Sequence, residues 1–302
     1  PPRSTLFPYT TLFRSGLDVQ CVEGDVRNPD SLREAFAGAS IVYHLAGVIS
    51  ILPRGNAALH DVNVVGTSNV LRASEARGVG RVVYVSSAHA LVEPPHGTAI
   101  TEAAGSEPSQ IVGPYAQSKA RATLEVFRSA ERGLDAVVVY PTGVVGPFDF
   151  NVSEMGHLVL DFAARRLRAY VEGAYDFVDV RDVAEGIIAA GQNGRTGEGY
   201  ILSGEMFPIS RLMALLEELT GVRAPLIRLP QWLAMSAAAF TPLLSRVTGK
   251  KPRFTTYSLR VLRSNGLMDC SKARRELDYT PRPLTASFAD AVNWFRTAGL
   301  LR

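Results

Sequence analysis

The chain has 302 residues, 46% of them hydrophobic and 20% charged, enough apolar material for one large or two modest domains. Its net charge of +3 is spread as isolated arginines and pairs, without the aromatic-interleaved basic run of a nucleic-acid footprint. The two cysteines, Cys21 and Cys270, are too few and too far apart for a disulfide framework or a zinc site. Thiols in a reducing cytoplasm are the expectation. The five histidines show no HExxH-like spacing, so no metal is expected. The longest greasy stretch, 232–244, is too short to span a bilayer, and the start has no secretion-signal pattern.

From residue 16 onward apolar strands alternate with helices. The pattern predicts a strand over 17–23 (LDVQCVE) and a helix over 28–38, with Asn28 as N-cap and Pro29 at its first position. A buried strand over 41–47 follows, then a long helix over about 56–77 closed by Gly78, then a second buried strand over 81–87. A loop with Pro94, Pro95 and Gly97 leads to a helix over about 115–132 and a strand over 135–140 ended by Pro141. Strands apolar on both faces and separated by helices predict an α/β fold, a doubly wound parallel sheet. Beyond about 150 the pattern loosens. Helices at about 155–167, 182–192, 210–220, 229–247 and 285–298 alternate with short strands at 200–204 and 226–230. The division expected is a sheet domain over 16–150 and a smaller α+β substrate region over 151–302, some of whose segments return to the sheet.

The strongest chemical signal is YAQSK, with Tyr115 and Lys119 one helical turn apart on one face. A free phenol, with a pKa of roughly 10, is a poor base at neutral pH. A neighbouring ammonium is expected to lower it by favouring phenolate, and a cationic nicotinamide would lower it further. Such a tyrosine passes a proton to or from a carbinol or carbonyl oxygen while hydride moves elsewhere. A chance Tyr-x-x-x-Lys on a solvated face is the competing reading. In VYVSSAHA, Ser86 and Ser87 end a buried strand, where ligands bind in parallel sheets. Ser87 is expected to hydrogen-bond a substrate oxygen and set it against Tyr115, although strand-ending serines also satisfy turn backbone. The intervening loop, 88–114, is long enough to cover a substrate. PTGVVGP (141–147) stops the chain at another strand end. Asn63, in mid-helix, has poor propensity there and points to a partner for its side chain. A serine hydrolase built on Ser87 and His89 is disfavoured, because the chain has no G-x-S-x-G elbow.

In this order and spacing, GD…HLAG…NVVGTSNVL…VYVSS…YAQSK…PTGVVGP…FVDVRDVA resembles the extended short-chain dehydrogenase/reductase family, also called the NAD-dependent epimerase/dehydratase family. Within it the chain looks most like the dihydroflavonol-reductase-like and 3β-hydroxysteroid-dehydrogenase-like branch. The resemblance implies a Rossmann-like dinucleotide-binding domain over 16–150, with NAD or NADP as cofactor. It implies Ser87, Tyr115 and Lys119 as the catalytic set, with Asn63 completing a proton relay. Lys119 would also hold the nicotinamide ribose. Asp25 and Val26 would contact the adenine. Leu45, Ala46 and Gly47 would run beneath the cofactor backbone, with Val85 and Ser86 beside it and Pro141 and Val144 near the nicotinamide. Ser87, His89, Tyr115 and Thr142 would face the substrate. A cytoplasmic homodimer, with partners limited to small molecules, is what the family implies, through the helices at 56–77 and 115–132.

Nucleotide-sugar epimerases of this family usually read RDF where this chain reads YDF, so Tyr175 takes the place of a phosphate-binding arginine. That departure, with VYPTG where a YFN-type sequence is common, favours an apolar carbinol or ketone over a sugar nucleotide. Epimerase/dehydratase chemistry and a non-catalytic nucleotide sensor remain the alternatives. The family also opens with a strand and a GxxGxxG turn that approaches the pyrophosphate, and neither precedes GLDVQCVEGD here. GLDVQCVEGD matches the family's third strand. TLFPYTTLFRS, before it, resembles the direct translation of a common sequencing-adapter oligonucleotide. Residues 1–15 are therefore read as a non-native segment, and the remainder as a truncated enzyme with an impaired cofactor site.

Overall fold

The computed structural model describes residues 18–50, 55, 57–236, 238, 256–262 and 264–301. The adapter-like segment and most of the helix expected at 229–247 lie outside them. The first described element is helix α1 (Pro29–Ala35), capped by the Asn28 side chain, which accepts from the Asp30 amide at 3.1 Å. Strand β1 (Ile41–His44) follows. A π-helical stretch, Leu59–Val65, runs into α2 (Gly66–Arg77), which ends at Gly78 with φ 64°, the left-handed stop that glycine allows without a Cβ penalty. Next come β2 (Arg81–Val85), α3 (Pro114–Glu131) and β3 (Ala136–Pro141).

The second half opens with β4 (Gly143–Val145), α4 (Glu154–Ala163), β5 (Ala169–Val171) and β6 (Ala174–Asp179). It continues through α5 (Val180–Asn193), β7 (Gly199–Leu202), β8 (Glu205–Pro208), α6 (Ile209–Thr220) and β9 (Ile227–Leu229). Helices α7 (Thr256–Val261), α8 (Ser271–Leu277) and α9 (Leu284–Thr297) close the chain.

The main sheet has the order β1-β2-β3-β7 and every pairing in it is parallel. Its central strands β2 and β3 are valine-rich and buried on both faces, with Val82, Val83, Val137, Val138 and Val139 fully inaccessible. Two helical layers cover it. His44 and Tyr84 share one face, where His44 meets Thr67 of α2 and Tyr84 lies under Lys119 of α3. Tyr43 and Val137 belong to the other, where they pack on Gly191 and Gly194 at the end of α5. This is the doubly wound arrangement the alternating pattern predicts.

The strand expected over 17–23 does not form. Residues 18–24 are exposed and belong to no strand. A period-two sequence makes a strand only where a ladder partner meets it. Among the described residues β1 pairs on one side only, with β2.

A second core lies beside the first. Phe162, Phe177, Phe207, Leu212, Leu216, Phe288 and Phe295 fill it, from α4, β6, β8, α6 and α9. Its sheet is β4-β6-β8, and β5 pairs with β9 separately. Strand β7 crosses back to complete the main sheet, and Ala273 and Leu277 of α8 join that sheet's core. An ionic clamp ties the two parts. Arg181 bridges Asp179 and Asp290, each at 2.7 Å, and Arg282 reaches buried Asp182 at 2.7 Å.

Candidate active site

The site forms where β2 ends. Ser86 turns inward, its hydroxyl 2.7 Å from that of Thr123. The next residue, Ser87, accepts the His89 amide at its Oγ at 3.3 Å. Helix α3 starts after Gly113 and carries Tyr115 in its first turn, where the phenol interacts electrostatically with the Ser87 side chain. One turn on, Lys119 is buried, donates to the Val85 carbonyl at 2.6 Å and lies 4.5 Å from the centre of the Tyr84 ring. Ser87 and the Tyr115–Lys119 turn, separate in sequence, thus come together at the carboxyl end of a parallel strand.

Electrostatics depart from the expectation of a lowered phenol. Burial pushes the Tyr115 pKa up, and the nearby Ser87 hydroxyl offsets only part of that. The same desolvation pulls the Lys119 ammonium down to about 7. Lys119 spends a donor on a backbone carbonyl rather than on the phenol, so it does not reverse the effect of burial. Beneath it, His44 is buried, accepts or donates at Thr67 over 2.9 Å, and is held down to about 3 by burial and by Lys119.

Asn63 is buried in the π-helical stretch, a geometry common at functional positions. Its Oδ1 accepts the Val48 amide at 2.7 Å, and its Nδ2 donates to the Val48 carbonyl and to Ser118 Oγ, at 3.0 and 2.9 Å. Ser118 in turn donates to the Tyr115 carbonyl at 2.7 Å. Asn63 therefore joins the loop after β1 to the first turn of α3.

The remaining candidates border this centre unevenly. Leu45, Ala46 and Gly47 are exposed, and a Cβ on Gly47 would stand 3.7 Å from Lys119 Nζ. Val26 packs on Gly66 and its carbonyl takes the Asn69 amide at 2.9 Å, whereas Asp25 is engaged by Arg27 at 2.6 Å. Val85 gives its carbonyl to Lys119. Pro141 ends β3 against Leu202, and Val144 sits half-exposed in β4 beside Val178. The Thr142 hydroxyl is buried beside Asp176 and helps to lower a carboxyl that burial raises to about 6. His89 reaches across to Tyr175, Nε2 to hydroxyl, at 2.6 Å. Sequence reasoning left Tyr84 and Ser118 out of the site. Ser118 lies inside the YAQSK motif itself, and Tyr84 lies two residues before Ser86 on the same strand, which are the signals that mark them. An open hollow of about 440 Å³ lies elsewhere, near Glu102, Glu198 and Lys272, and contains none of the candidates.

The family model described as the NAD-dependent epimerase/dehydratase family matches residues 6–203. The match begins within the segment read as adapter-derived. Sterol demethylase protein B of Methylococcus capsulatus is 40% identical over 288 residues, covering 95% of this chain and 88% of that protein. The 3beta-hydroxysteroid-dehydrogenase/decarboxylase isoform 1 of Arabidopsis thaliana is 30% identical, over 89% of this chain and 64% of that protein. Among solved structures, the crystal structure of gox2253 superposes with a TM-score of 0.83 at 34% identity, covering 96% of this chain and 88% of that one. The matching model, these relatives and the serine, tyrosine and lysine gathered at the end of β2 agree: the chain belongs to the NAD-dependent epimerase/dehydratase family.

Proposed function

We propose that the chain is an NAD(P)-dependent oxidoreductase acting on a ketone or carbinol of a fairly apolar small molecule. The observation that carries this is the grouping of Ser87, at the end of β2, with Tyr115 and buried Lys119 on α3, whose ammonium binds the Val85 carbonyl two residues before that serine. The donor set fits a nicotinamide nucleotide. Lys119 has two further N–H groups after Val85 is served, next to the exposed backbone of Leu45 to Gly47. Such a neighbourhood suits a ribose diol. Bound there, the nicotinamide supplies or accepts the hydride.

The chain's own part is proton handling and orientation. Ser87 holds the substrate oxygen by hydrogen bond. Tyr115, its pKa raised by burial, keeps its proton at neutral pH and gives it to that oxygen during reduction. Lys119 fixes the ribose and, being close to half-protonated at neutral pH, adds only part of a positive charge. Asn63 holds the loop after β1 in register with the Tyr115 turn. The relatives whose names refer to a sterol and a hydroxysteroid favour an apolar substrate for this chain as well.

No helix among the described residues is long and apolar enough to cross a membrane. The reading includes a cytoplasmic homodimer, which light scattering tests. A screen of steroid and decalin ketones at millimolar NADH or NADPH tests the activity. Tyr115→Phe should lower turnover by about 10²–10⁴-fold, and equal turnover in both forms, or none in the wild type, contradicts the proposal.

A further inference from the structure

His89 and Tyr175 are 86 positions apart in the chain, yet their side chains meet directly beside the catalytic serine. His89 belongs to the short 3₁₀ turn Ala88–Ala90 that leaves β2, and its amide is bound to Ser87 Oγ. The ring cannot move far without disturbing that serine. Tyr175 comes from the other half of the molecule, on β6. Its ring packs over Gly143, where any Cβ would collide with it, and meets Phe177 edge-on at 5.1 Å. Both ends of the pair are therefore anchored, one to the catalytic strand and one to the second core.

The pair is neutral at physiological pH, because burial holds the His89 imidazole down to about 4. We propose that the His89–Tyr175 pair is the specificity element of the site, a hydrogen-bonded aromatic wall that admits an uncharged, apolar ketone or carbinol and rejects one carrying a phosphate group. This rests on the oxidoreductase reading above. Placed against this wall, an apolar ring system covers the faces of an imidazole and a phenol that already use each other's polar atoms. A phosphate placed there loses hydration and meets no counter-charge from the pair, which is unfavourable in a partly buried site. The pair also couples substrate shape to catalysis, since the residue that shapes the wall donates its amide to the catalytic hydroxyl.

The test uses binding by calorimetry to the full chain, with 1-decalone and inorganic pyrophosphate as probes. Wild type should bind decalone and not pyrophosphate. Tyr175→Arg should weaken decalone about tenfold or more and gain pyrophosphate binding, because it exchanges the neutral hydroxyl for a cation. Tyr175→Phe keeps the ring and should weaken decalone only about threefold. His89→Gln, which can still bond the Tyr175 hydroxyl, should stay closer to wild type than His89→Ala. Circular dichroism melting identifies any variant that fails to fold, and Tyr175→Phe, which preserves the packing over Gly143, then carries the result. Decalone affinity unchanged in both Tyr175 variants overturns the proposal, as does pyrophosphate binding by wild type or failure of wild type to bind decalone. If decalone binds and is discriminated but is never reduced with NADH or NADPH, the oxidoreductase reading falls and the pair stands. If decalone is reduced with the same KM in wild type and both Tyr175 variants, the pair falls and the oxidoreductase reading stands.

Discussion

The ammonium of Lys119 rests 4.5 Å from the centre of the Tyr84 ring, on the strand that leads to Ser87. Lys119 is buried, and its pKa is drawn down to about 7 by desolvation. The ring face is the neighbour that favours its charged form, by roughly 0.5–2 kcal/mol in a desolvated setting. A ¹³C titration of the lysine ε-carbons should therefore show one lysine with a midpoint near 7. Tyr84→Phe keeps the ring and should leave that midpoint in place, whereas Tyr84→Leu should lower it by up to about one pH unit. A Lys119 midpoint near 10 would contradict the assignment.

Asp176 gives a pH dependence with a definite sign. Its folded pKa is raised from 3.8 to about 6, chiefly by burial, despite a hydrogen bond from Ser203 and the nearby Thr142 hydroxyl. Between those values the native state keeps a proton that the unfolded chain has released. The group's effect on stability is thus most favourable below pH 4 and worsens as pH rises through 6, by roughly 3 kcal/mol in total. Asp176→Asn removes the titration. Denaturant melts should show this variant gaining stability relative to wild type between pH 4.5 and 8, and a constant difference across that range would refute the argument.

Arg282 matters for stability rather than chemistry. It donates to Asp182, which is 2% exposed, and stands 4.0 Å from wholly buried Asp179. Removing the guanidinium leaves a buried carboxylate without its main cation. Arg282→Ala should destabilise the fold by about 3 kcal/mol in urea unfolding. A loss below about 1 kcal/mol, the range of surface pairs, would mean the clamp is solvated.

Asn63 binds both polar backbone groups of Val48 and also Ser118. Asn63→Ala should cost about 2 kcal/mol by leaving these groups unpaired, and hydrogen exchange at the Val48 amide should accelerate. Unchanged protection at Val48 would show that Asn63 does not hold this loop.

Much of this architecture is legible in the sequence. The valine runs at 82–85 and 136–139 predict buried parallel strands, and the structure pairs them in one register. The Asn28–Pro29 cap and the Gly78 stop act as local chemistry says they should. The segment 17–23 fails because alternation reports a face and not a partner. The π-helical turn around Asn63 is hidden because an extra residue per turn leaves no mark in apolar spacing. The direction of the Tyr115 shift is hidden for another reason: the YxxxK spacing places a cation nearby, but only the packed site reveals that burial outweighs it. His89 and Tyr175 could be paired only by the fold, which brings β6 to the end of β2.

Hydride delivery to a carbonyl carbon with Tyr115 as proton donor is the centre of this account. The direct measurement incubates the chain with millimolar C4-deuterated NADH or NADPH and an apolar ketone, cholestan-3-one or 1-decalone, and locates the label by mass spectrometry. Deuterium should appear on the carbinol carbon with wild type and fall by at least about 10²-fold with Tyr115→Phe. Absence of label from both products, or equal labelling by wild type and Tyr115→Phe, would contradict it.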